Sequence, residues 1–380
     1  MSVSAKPEFP KKYPDTAKSL GVGRNTKLTR DLAPALRPLR IGVLGLGFGL
    51  GYFREYIGED RKRVDIRAVC DSDSERLSSG VKAFGCTGYS DLESMLQDSE
   101  VDVIGVFSGP NGRANLIDQC VDAGKHVMTT KPLEVDPAAI ESSLRRASEK
   151  GCHVFLNSPS PVLGEDMLLI RRWQEEFDLG ELVFARSDCW YQALESADGC
   201  WYDDPAKCPV APIFRLGIYG LNDVLALNRE VVDIQVAASR MKTGRPTPDI
   251  AQMTLTLGNG AIATIRASWR SRPQRDLLTA EFVFENGVVQ RTFGGLDHWD
   301  ADPIRLALRC ENSGGEIIET EAQIPFNRTN CAYRWDVMQR LIAGDRVENL
   351  ISFDQTIASV SVLAELKSRF SQAGVLPSVL

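Results

Sequence analysis

The chain has 380 residues, 43% of them apolar and 25% charged, and exceeds the length at which a single hydrophobic core usually stops growing; two domains are expected. Its net charge of −7 argues against nucleic acid as the main partner, because phosphate binding needs clustered positive potential. A small-molecule ligand fits better.

Residues 1–37 are rich in Lys, Arg, Pro and Ser and lack apolar periodicity, so they cannot bury a face of their own. They read as an extended arm, either disordered or packed on the body or on a neighbouring subunit. From Leu39 the pattern turns to compact apolar runs of strand length: LRIGVLG, VDIRAVC from Val64, VDVIGVF from Val101, HVMTT from His126 and CHVFLNS from Cys152. Amphipathic stretches over Asp91–Gln97, Arg113–Ala123 and Pro137–Lys150 lie between them. Alternation of strand and helix is the pattern of a parallel sheet covered on both faces, here a doubly wound α/β domain over 38–158.

Beyond Gly180 strands arrive in succession: ELVFARSDCWY, VVDIQVAASRMK, DIAQMTLTLGNGAIATIRASW and TAEFVFENGVVQRTF. Gly258-Asn259-Gly260 and Glu285-Asn286-Gly287 fall where hairpins need residues that accept positive φ. The segment 159–352 is therefore expected to be an α+β domain with a large, mainly antiparallel sheet. Its open face would be a platform for substrate or for another subunit. A last amphipathic helix, Phe353–Ala373 within 353–380, is expected to pack back on the first domain.

Nine cysteines, an odd number without a C-x-x-C pair or a metal-ligand spacing, read as free thiols in a reducing compartment, and no metal is expected. The first residues lack the apolar core of a signal peptide and no long unbroken apolar stretch follows, so the expected location is the cytoplasm, with no membrane partner.

The turn after the first strand reads Gly45-Leu46-Gly47-Phe48-Gly49-Leu50-Gly51. Glycine suits a tight turn that lets a pyrophosphate approach a helix N-terminus, where unpaired N–H groups and the dipole receive negative charge. The third position of G-x-G-x-x-G is Leu50, so the match is close but incomplete. Asp71 ends the second strand, where an acidic side chain binds adenosine ribose hydroxyls and repels a 2′-phosphate. NAD is the expected cofactor; Ser72 and Arg76 nearby leave NADP open.

Three stretches together resemble the glucose-fructose oxidoreductase and inositol dehydrogenase (Gfo/Idh/MocA) family over most of the chain from Leu39. They are the glycine turn with Asp71, the run Ala123-Gly124-Lys125-His126-Val127 leading to Lys131-Pro132-Leu133, and Leu216-Gly217-Ile218-Tyr219-Gly220-Leu221-Asn222-Asp223. The resemblance implies that Gly45, Gly47, Phe48, Gly49, Asp71, Ser72, Ser108, Pro110, Asn111, Lys131 and Pro132 hold the cofactor. It also implies that Lys131 reaches both nicotinamide ribose and substrate, with Tyr219 as acid/base for the reacting hydroxyl. A free tyrosine, with a pKa of about 10, needs a cation to serve as a base at neutral pH, and Lys131 can be that cation. Asp223, one turn further along a helix, is a reserve base.

The chain departs from the family in two places. Thr130 stands where a Glu usually precedes the lysine, and Arg215 stands four residues before Tyr219, where an Asp is usual. Arg215 either clamps an anionic substrate group or pairs with Asp223 or Asp204. Asn157 and Asn111 are either site residues or turn residues. Trp190, Tyr191, Trp201 and Tyr202 either stack on a sugar, with Trp201 the substrate-binding candidate, or pack in the core or against a subunit.

These features lead to NAD(P)-linked oxidation of a secondary alcohol on a sugar, cyclitol or glycoside. The alternatives are tightly held NAD used transiently for epimerisation, elimination or glycoside cleavage, and a non-catalytic dinucleotide sensor. A homodimer or homotetramer through the open sheet is expected.

Overall fold

The computed structural model describes residues 36–191, 197, 199–241, 244–269, 277–293, 303–312 and 314–372, and from Pro38 onward these belong to one compact unit. All but the last two residues of the expected arm, 1–37, lie outside the described residues, as do Lys242 and Ala373 at the ends of two expected elements.

The apolar runs after Leu39 form β1 (Leu39–Leu44), β2 (Val64–Cys70), β3 (Thr87–Tyr89), β4 (Val103–Val106), β5 (His126–Thr129) and β6 (Val154–Leu156). Between them lie α1 (Leu46–Gly51), α2 (Ser74–Phe84), α3 (Leu92–Leu96), α4 (Arg113–Asp122) and α5 (Pro137–Glu149). All the strands pair in parallel, in the order β3-β2-β1-β4-β5-β6. Strand β4 starts later than its apolar run because the Val101 N–H closes a turn on Asp98 at 3.3 Å. Its Val103 enters one core with Ile41 and Met128, whereas Ile104 and Val106 enter another with Ile117 and Ile140. Burial on both faces explains why the strand is apolar throughout. Strand order reverses about β1, which leaves a crevice at the carboxyl ends of β1 and β4, where open parallel sheets take ligands.

The second half contains α6 (Glu165–Glu176), β7 (Leu182–Trp190), α7 (Ile218–Leu227), β8 (Val231–Ser239), β9 (Ile250–Leu257), β10 (Ile262–Ser268), β11 (Leu277–Phe284), β12 (Gly287–Phe293), β13 (Ile304–Glu311) and β14 (Ile317–Ile324). Among the described residues these eight strands form one sheet, in the order β14-β13-β12-β11-β7-β10-β9-β8. Every pair is antiparallel except β7 with β10. Alternate residues of β9, namely Ala251, Met253, Leu255 and Leu257, are buried in the core that also takes in residues of α6 and α7.

Of the two expected hairpin turns, only the first uses positive φ, at Gly260 (86°). The Glu285-Asn286 turn needs none, because neighbouring chain holds it: Asn286 N–H bonds the Leu179 carbonyl at 2.9 Å and Asn286 Nδ2 bonds the Asp178 carbonyl at 2.9 Å. Gly287 serves packing instead, since a Cβ there would lie 2.7 Å from Cys310 Cβ.

The last two helices tie the sheets together. From α8 (Trp335–Ile342), Trp335 and Met338 pack with Phe53 and Ile41 of the nucleotide-binding half. From α9 (Phe353–Gln372), Val360 joins the core of Ile140 and Leu144, while Leu363 and Leu366 join the core under the eight-stranded sheet. Among the described residues no helix is long and apolar enough to cross a membrane.

Candidate active site

At the end of β1 the chain turns at Gly45, with φ 89°, and a Cβ there would sit 3.0 Å from the Phe107 carbonyl carbon. Both facts require glycine. Gly49 lets α1 approach the sheet, since a Cβ would come 2.9 Å from Val43 Cγ1, whereas Gly47 is open except for Arg76 Nη1 at 3.8 Å. Phe48 is half exposed beside the rings of Phe107 and Tyr52, at 5.7 and 6.1 Å. Asp71 braces the turn: Oδ2 accepts the Leu46 N–H at 2.8 Å and Oδ1 accepts the Asp73 N–H at 2.9 Å. Asp73, not Asp71, caps α2. A cavity of about 240 Å³ opens beside Gly45, Asp71, Ser72 and Ser108.

The segment after β5 carries Thr130, Lys131 and Pro132, with a cis peptide between the last two. Asn157, just beyond β6, connects it to the second half of the chain. Its Oδ1 accepts the Lys131 N–H at 3.0 Å and the Thr130 hydroxyl at 3.4 Å, and its Nδ2 donates to Tyr219 Oη at 3.4 Å. Tyr219 projects from the first turn of α7, which follows directly on a π-helical turn over Ile213–Gly217. Lys131 Nζ lies 4.6 Å from the Tyr219 ring centroid and donates to the Arg215 carbonyl. Lysine and phenol thus converge from opposite halves.

Their electrostatics differ from the expected phenolate–ammonium pair. Burial, with Arg215 adding to it, pushes the Lys131 amine down to about 7. Burial also raises the Tyr219 phenol well above its ordinary value, with Tyr333 adding to it. Desolvation of the charged forms outweighs mutual stabilisation, so the phenol keeps its proton at neutral pH while the amine is poised to exchange one.

Asp223, the reserve base expected beside Tyr219, is engaged elsewhere. It is fully buried, its Oδ2 is ion-paired with Arg291, and its Oδ1 accepts from Asn330 Nδ2 at 3.1 Å. Arg291, on β12, also binds Asp166 of α6 at 2.9 Å, so the carboxylate ties α7 to sheet and helix. Of the partners considered for Arg215, Asp223 is bound to Arg291 and Asp204 to Lys207 at 3.1 Å. The Arg215 guanidinium carbon lies 3.9 Å from the Tyr202 ring centroid and 5.2 Å from that of Trp269. Trp201 covers the loop after β4: a Cβ on Gly109 would touch its ring at 3.1 Å. Trp190 lies 5.9 Å from the Arg266 guanidinium, and Tyr191 packs at the edge of the sheet core.

Residues 39–158 match the family described as an oxidoreductase family with an NAD-binding Rossmann fold, and residues 167–290 match the GFO/IDH/MocA C-terminal domain. The chain belongs to the GFO/IDH/MocA family. Among its relatives, D-apiose dehydrogenase of Paraburkholderia graminis is 23% identical over 253 residues, 64% of this chain and 65% of that protein. Myo-inositol 2-dehydrogenase of Thermotoga maritima is 29% identical over 121 residues, 31% of this chain and 35% of that one. The match thus spans less than two thirds of the length of these relatives. The structure of aldose-aldose oxidoreductase from Caulobacter crescentus superposes with a TM-score of 0.67 at 18% identity, covering 89% of this chain and 99% of that one.

For a GFO/IDH/MocA protein the cofactor is a nicotinamide dinucleotide, and the residues present fit one. The Gly45 cradle admits no Cβ, the cavity reaches from Asp71 to Ser108, and the buried Oδ1 of Asn111 has no hydrogen-bond partner among the described residues. Asn111 and Ser108 lie in the loop after β4, and Pro110 is buried there, its carbonyl accepting the Arg113 N–H at 3.2 Å.

Two residues had escaped the sequence reading. Arg113, fully buried at the start of α4, donates to the carbonyls of Thr130 (2.6 Å) and Leu133 (3.1 Å) and to those of Pro132 and Ser108. It holds the loop after β4 against the segment that carries Lys131. The Tyr333 ring lies 4.5 Å from that of Tyr52 at a tilt of 42°, and burial raises its phenol while Thr130 and Arg113 pull it back. Its place just before the apolar stripe of α8 was the available cue, but nothing in its spacing linked it to the glycine turn.

Proposed function

We propose that this protein is an NAD(P)-dependent oxidoreductase for a secondary hydroxyl or keto group of a sugar, cyclitol or glycoside. The observation that carries the reading is the meeting of Lys131 and Tyr219 beside the carboxyl ends of the parallel strands, joined through Asn157. Relatives named for apiose, inositol and aldoses support a polyhydroxy substrate.

In this reading Gly45, Gly47 and Gly49 admit the pyrophosphate, Asp71 and Ser72 face the adenosine ribose, and Ser108, Pro110, Asn111 and Pro132 line the nicotinamide side. When bound, the dinucleotide supplies the hydride acceptor or donor. Tyr219, protonated at neutral pH, orients the reacting oxygen by donating to it and relays its proton. Lys131, with its amine held at about 7, takes up that proton in oxidation and returns it in reduction. Asn157 holds both groups in place, and Trp201 narrows the opening over Gly109. Asp71 favours NAD, because a carboxylate opposes a 2′-phosphate. The nine free cysteines fit a reducing compartment such as the cytoplasm. Exposed Val183, Val232 and Ile317 on the large sheet fit a homo-oligomer formed through it.

The test is a panel of sugars, inositols and aryl glycosides, with NAD and then NADP, followed by absorbance of the reduced cofactor. Steady cofactor reduction by at least one polyol, lost in Lys131→Met, is the expected result. Conversion of a glycoside or epimer without net reduction would instead mean transient oxidation by retained cofactor.

A further inference from the structure

Two polar atoms beside the crevice are buried without a hydrogen-bond partner among the described residues: the hydroxyl oxygen of Tyr333 and Oδ1 of Asn111. Buried polar groups are nearly always satisfied, so exceptions at a binding site point to the ligand that completes them. The Thr130 hydroxyl lies close enough to Tyr333 to lower its pKa, but it donates to Asn157 Oδ1, at 3.4 Å. The neighbouring phenol, Tyr52, is engaged within the protein, where it accepts from Trp335 Nε1 at 2.7 Å. Burial keeps the Tyr333 phenol protonated at neutral pH, and therefore a donor.

Tyr333 is fixed in place. On one side Asn330 N–H bonds Asp166 Oδ1 at 3.0 Å, and on the other the fully buried Trp335 packs with Phe53. The Tyr333 ring lies 6.1 Å from that of Phe107, whose carbonyl carbon is the atom a Cβ on Gly45 would meet at 3.0 Å. Its hydroxyl acts on Thr130, next to Lys131, and on the Tyr219 phenol. Tyr333 thus lies between the glycine turn and the Lys131 and Tyr219 pair, where a nicotinamide must sit if its hydride is to reach a substrate held by that pair. Asn111 belongs to the loop after β4. Two residues on, Arg113 ties that loop, through the Ser108 carbonyl, to the Thr130 carbonyl at 2.6 Å, and the same guanidinium lowers the Tyr333 phenol.

A group that completes both atoms must accept from a phenol and donate to an amide oxygen. A primary carboxamide does both, through its carbonyl and its NH2, and the nicotinamide ring carries one. We infer that Tyr333 is a cofactor-binding residue whose hydroxyl donates to the carbonyl of the nicotinamide carboxamide, while the carboxamide NH2 donates to Asn111 Oδ1. Held at both ends, the carboxamide fixes the rotation of the ring about its bond to ribose, and with it the face turned toward Lys131 and Tyr219. This inference rests on the placement of the dinucleotide in the reading above, and the two can fail separately.

The experiment titrates the full chain and its Tyr333→Phe variant by calorimetry with three ligands. They are NADH, its thionicotinamide analogue, whose sulfur is a weak acceptor, and ADP-ribose, which lacks the ring. The wild type should bind NADH about threefold or more tightly than the thio analogue. Tyr333→Phe should weaken NADH by about 3- to 10-fold, the range for one neutral hydrogen bond, weaken the thio analogue less and leave ADP-ribose unchanged. Because the hydroxyl has no partner of good geometry among the described residues, the ligand-free variant should melt at or above the wild-type temperature. A purely structural tyrosine would lower that temperature and weaken all three ligands alike. In Asn111→Ala the preference for NADH over its reduced acetylpyridine analogue, which carries a methyl in place of the NH2, should disappear; persistence of that preference would overturn the inference. Equal losses of NADH and the thio analogue in Tyr333→Phe, a loss of ADP-ribose, or no loss at all would each overturn it while leaving dinucleotide binding intact. Binding as expected with no NAD reduction by any polyol would sustain it and overturn the oxidoreductase reading instead. A wild type that binds none of the three ligands would overturn both. If Tyr333→Phe fails to fold, wild-type discrimination between NADH and the thio analogue decides, and its absence overturns the inference.

Discussion

The side-chain amide of Asn157 donates to the hydroxyl of Tyr219 at 3.4 Å across a sequence separation of 62 residues, while its oxygen accepts the Lys131 N–H. One short side chain thus holds the two groups proposed to handle the substrate proton. Replacing it by Ala removes one hydrogen bond from the phenol and takes the side-chain acceptor from the Lys131 N–H. We expect kcat/KM to fall by about 10- to 100-fold, the size of an effect from roughly ångström-scale misplacement, with the dissociation constant for NADH little changed. Steady-state kinetics beside a fluorescence titration separate the two; a matching loss of NADH affinity would mean that Asn157 serves cofactor binding.

Lys131 gives a signed pH dependence. With its amine at about 7 it is neutral, and able to accept a proton, above that value. The kcat/KM for alcohol oxidation should therefore rise with pH and level off above an apparent pKa near 7. Lys131→Met should lower it by roughly 10²–10⁴-fold and flatten that limb. Stability follows the same proton. Between pH of about 7 and about 10.5 the unfolded lysine holds a proton that the folded one has released, so this residue makes the fold more stable as pH rises through the window. The melting advantage of Lys131→Met over the wild type should accordingly shrink toward alkaline pH; a constant difference would argue against a depressed amine.

Asp71 is tied to both the glycine turn and the start of α2. Asp71→Ser should shift the NADP-to-NAD ratio of kcat/KM upward by about tenfold or more, because the carboxylate that opposes a 2′-phosphate is gone. The same change should lower stability by roughly 1–3 kcal/mol through the two N–H groups left without the carboxylate. A variant that loses stability but keeps its cofactor ratio would confine Asp71 to bracing the turn.

The buried set of Asp166, Asp223 and Arg291 makes the opposite kind of statement, about scaffold alone. Arg291→Met leaves two buried carboxylates without their cation and should cost about 3–5 kcal/mol in urea unfolding. Asp223→Asn keeps the bond from Asn330 and should cost less. Activity per folded molecule should change little in Asp223→Asn, and a loss as large as that of Lys131→Met would return Asp223 to the proton chemistry.

Much of this was legible from the residues. Compact apolar runs such as VDVIGVF, separated by amphipathic stretches, specify a parallel sheet, because only a strand buried on both faces can be apolar throughout. The glycine turn with Asp71 marked the crevice proposed for the cofactor, since strand, turn, helix and second strand follow one another within about thirty residues. The ion pair of Asp223 was not legible, for the converse reason. Helical spacing places it one turn from Tyr219, but nothing local reveals that Arg291, 68 residues further on, turns it away into a buried ion pair.

The sequence by itself thus determined the elements and the order of the two sheets, and it singled out the turn at which the dinucleotide is proposed to bind, since these depend on periodicity and on neighbours a few residues apart. Only the tertiary structure decided the proton states and charge balance of the site. Those are set by burial and by groups such as Asn157, Arg215, Arg113 and Tyr333, which come together across long stretches of chain, and desolvation acts on a side chain only once the fold has enclosed it.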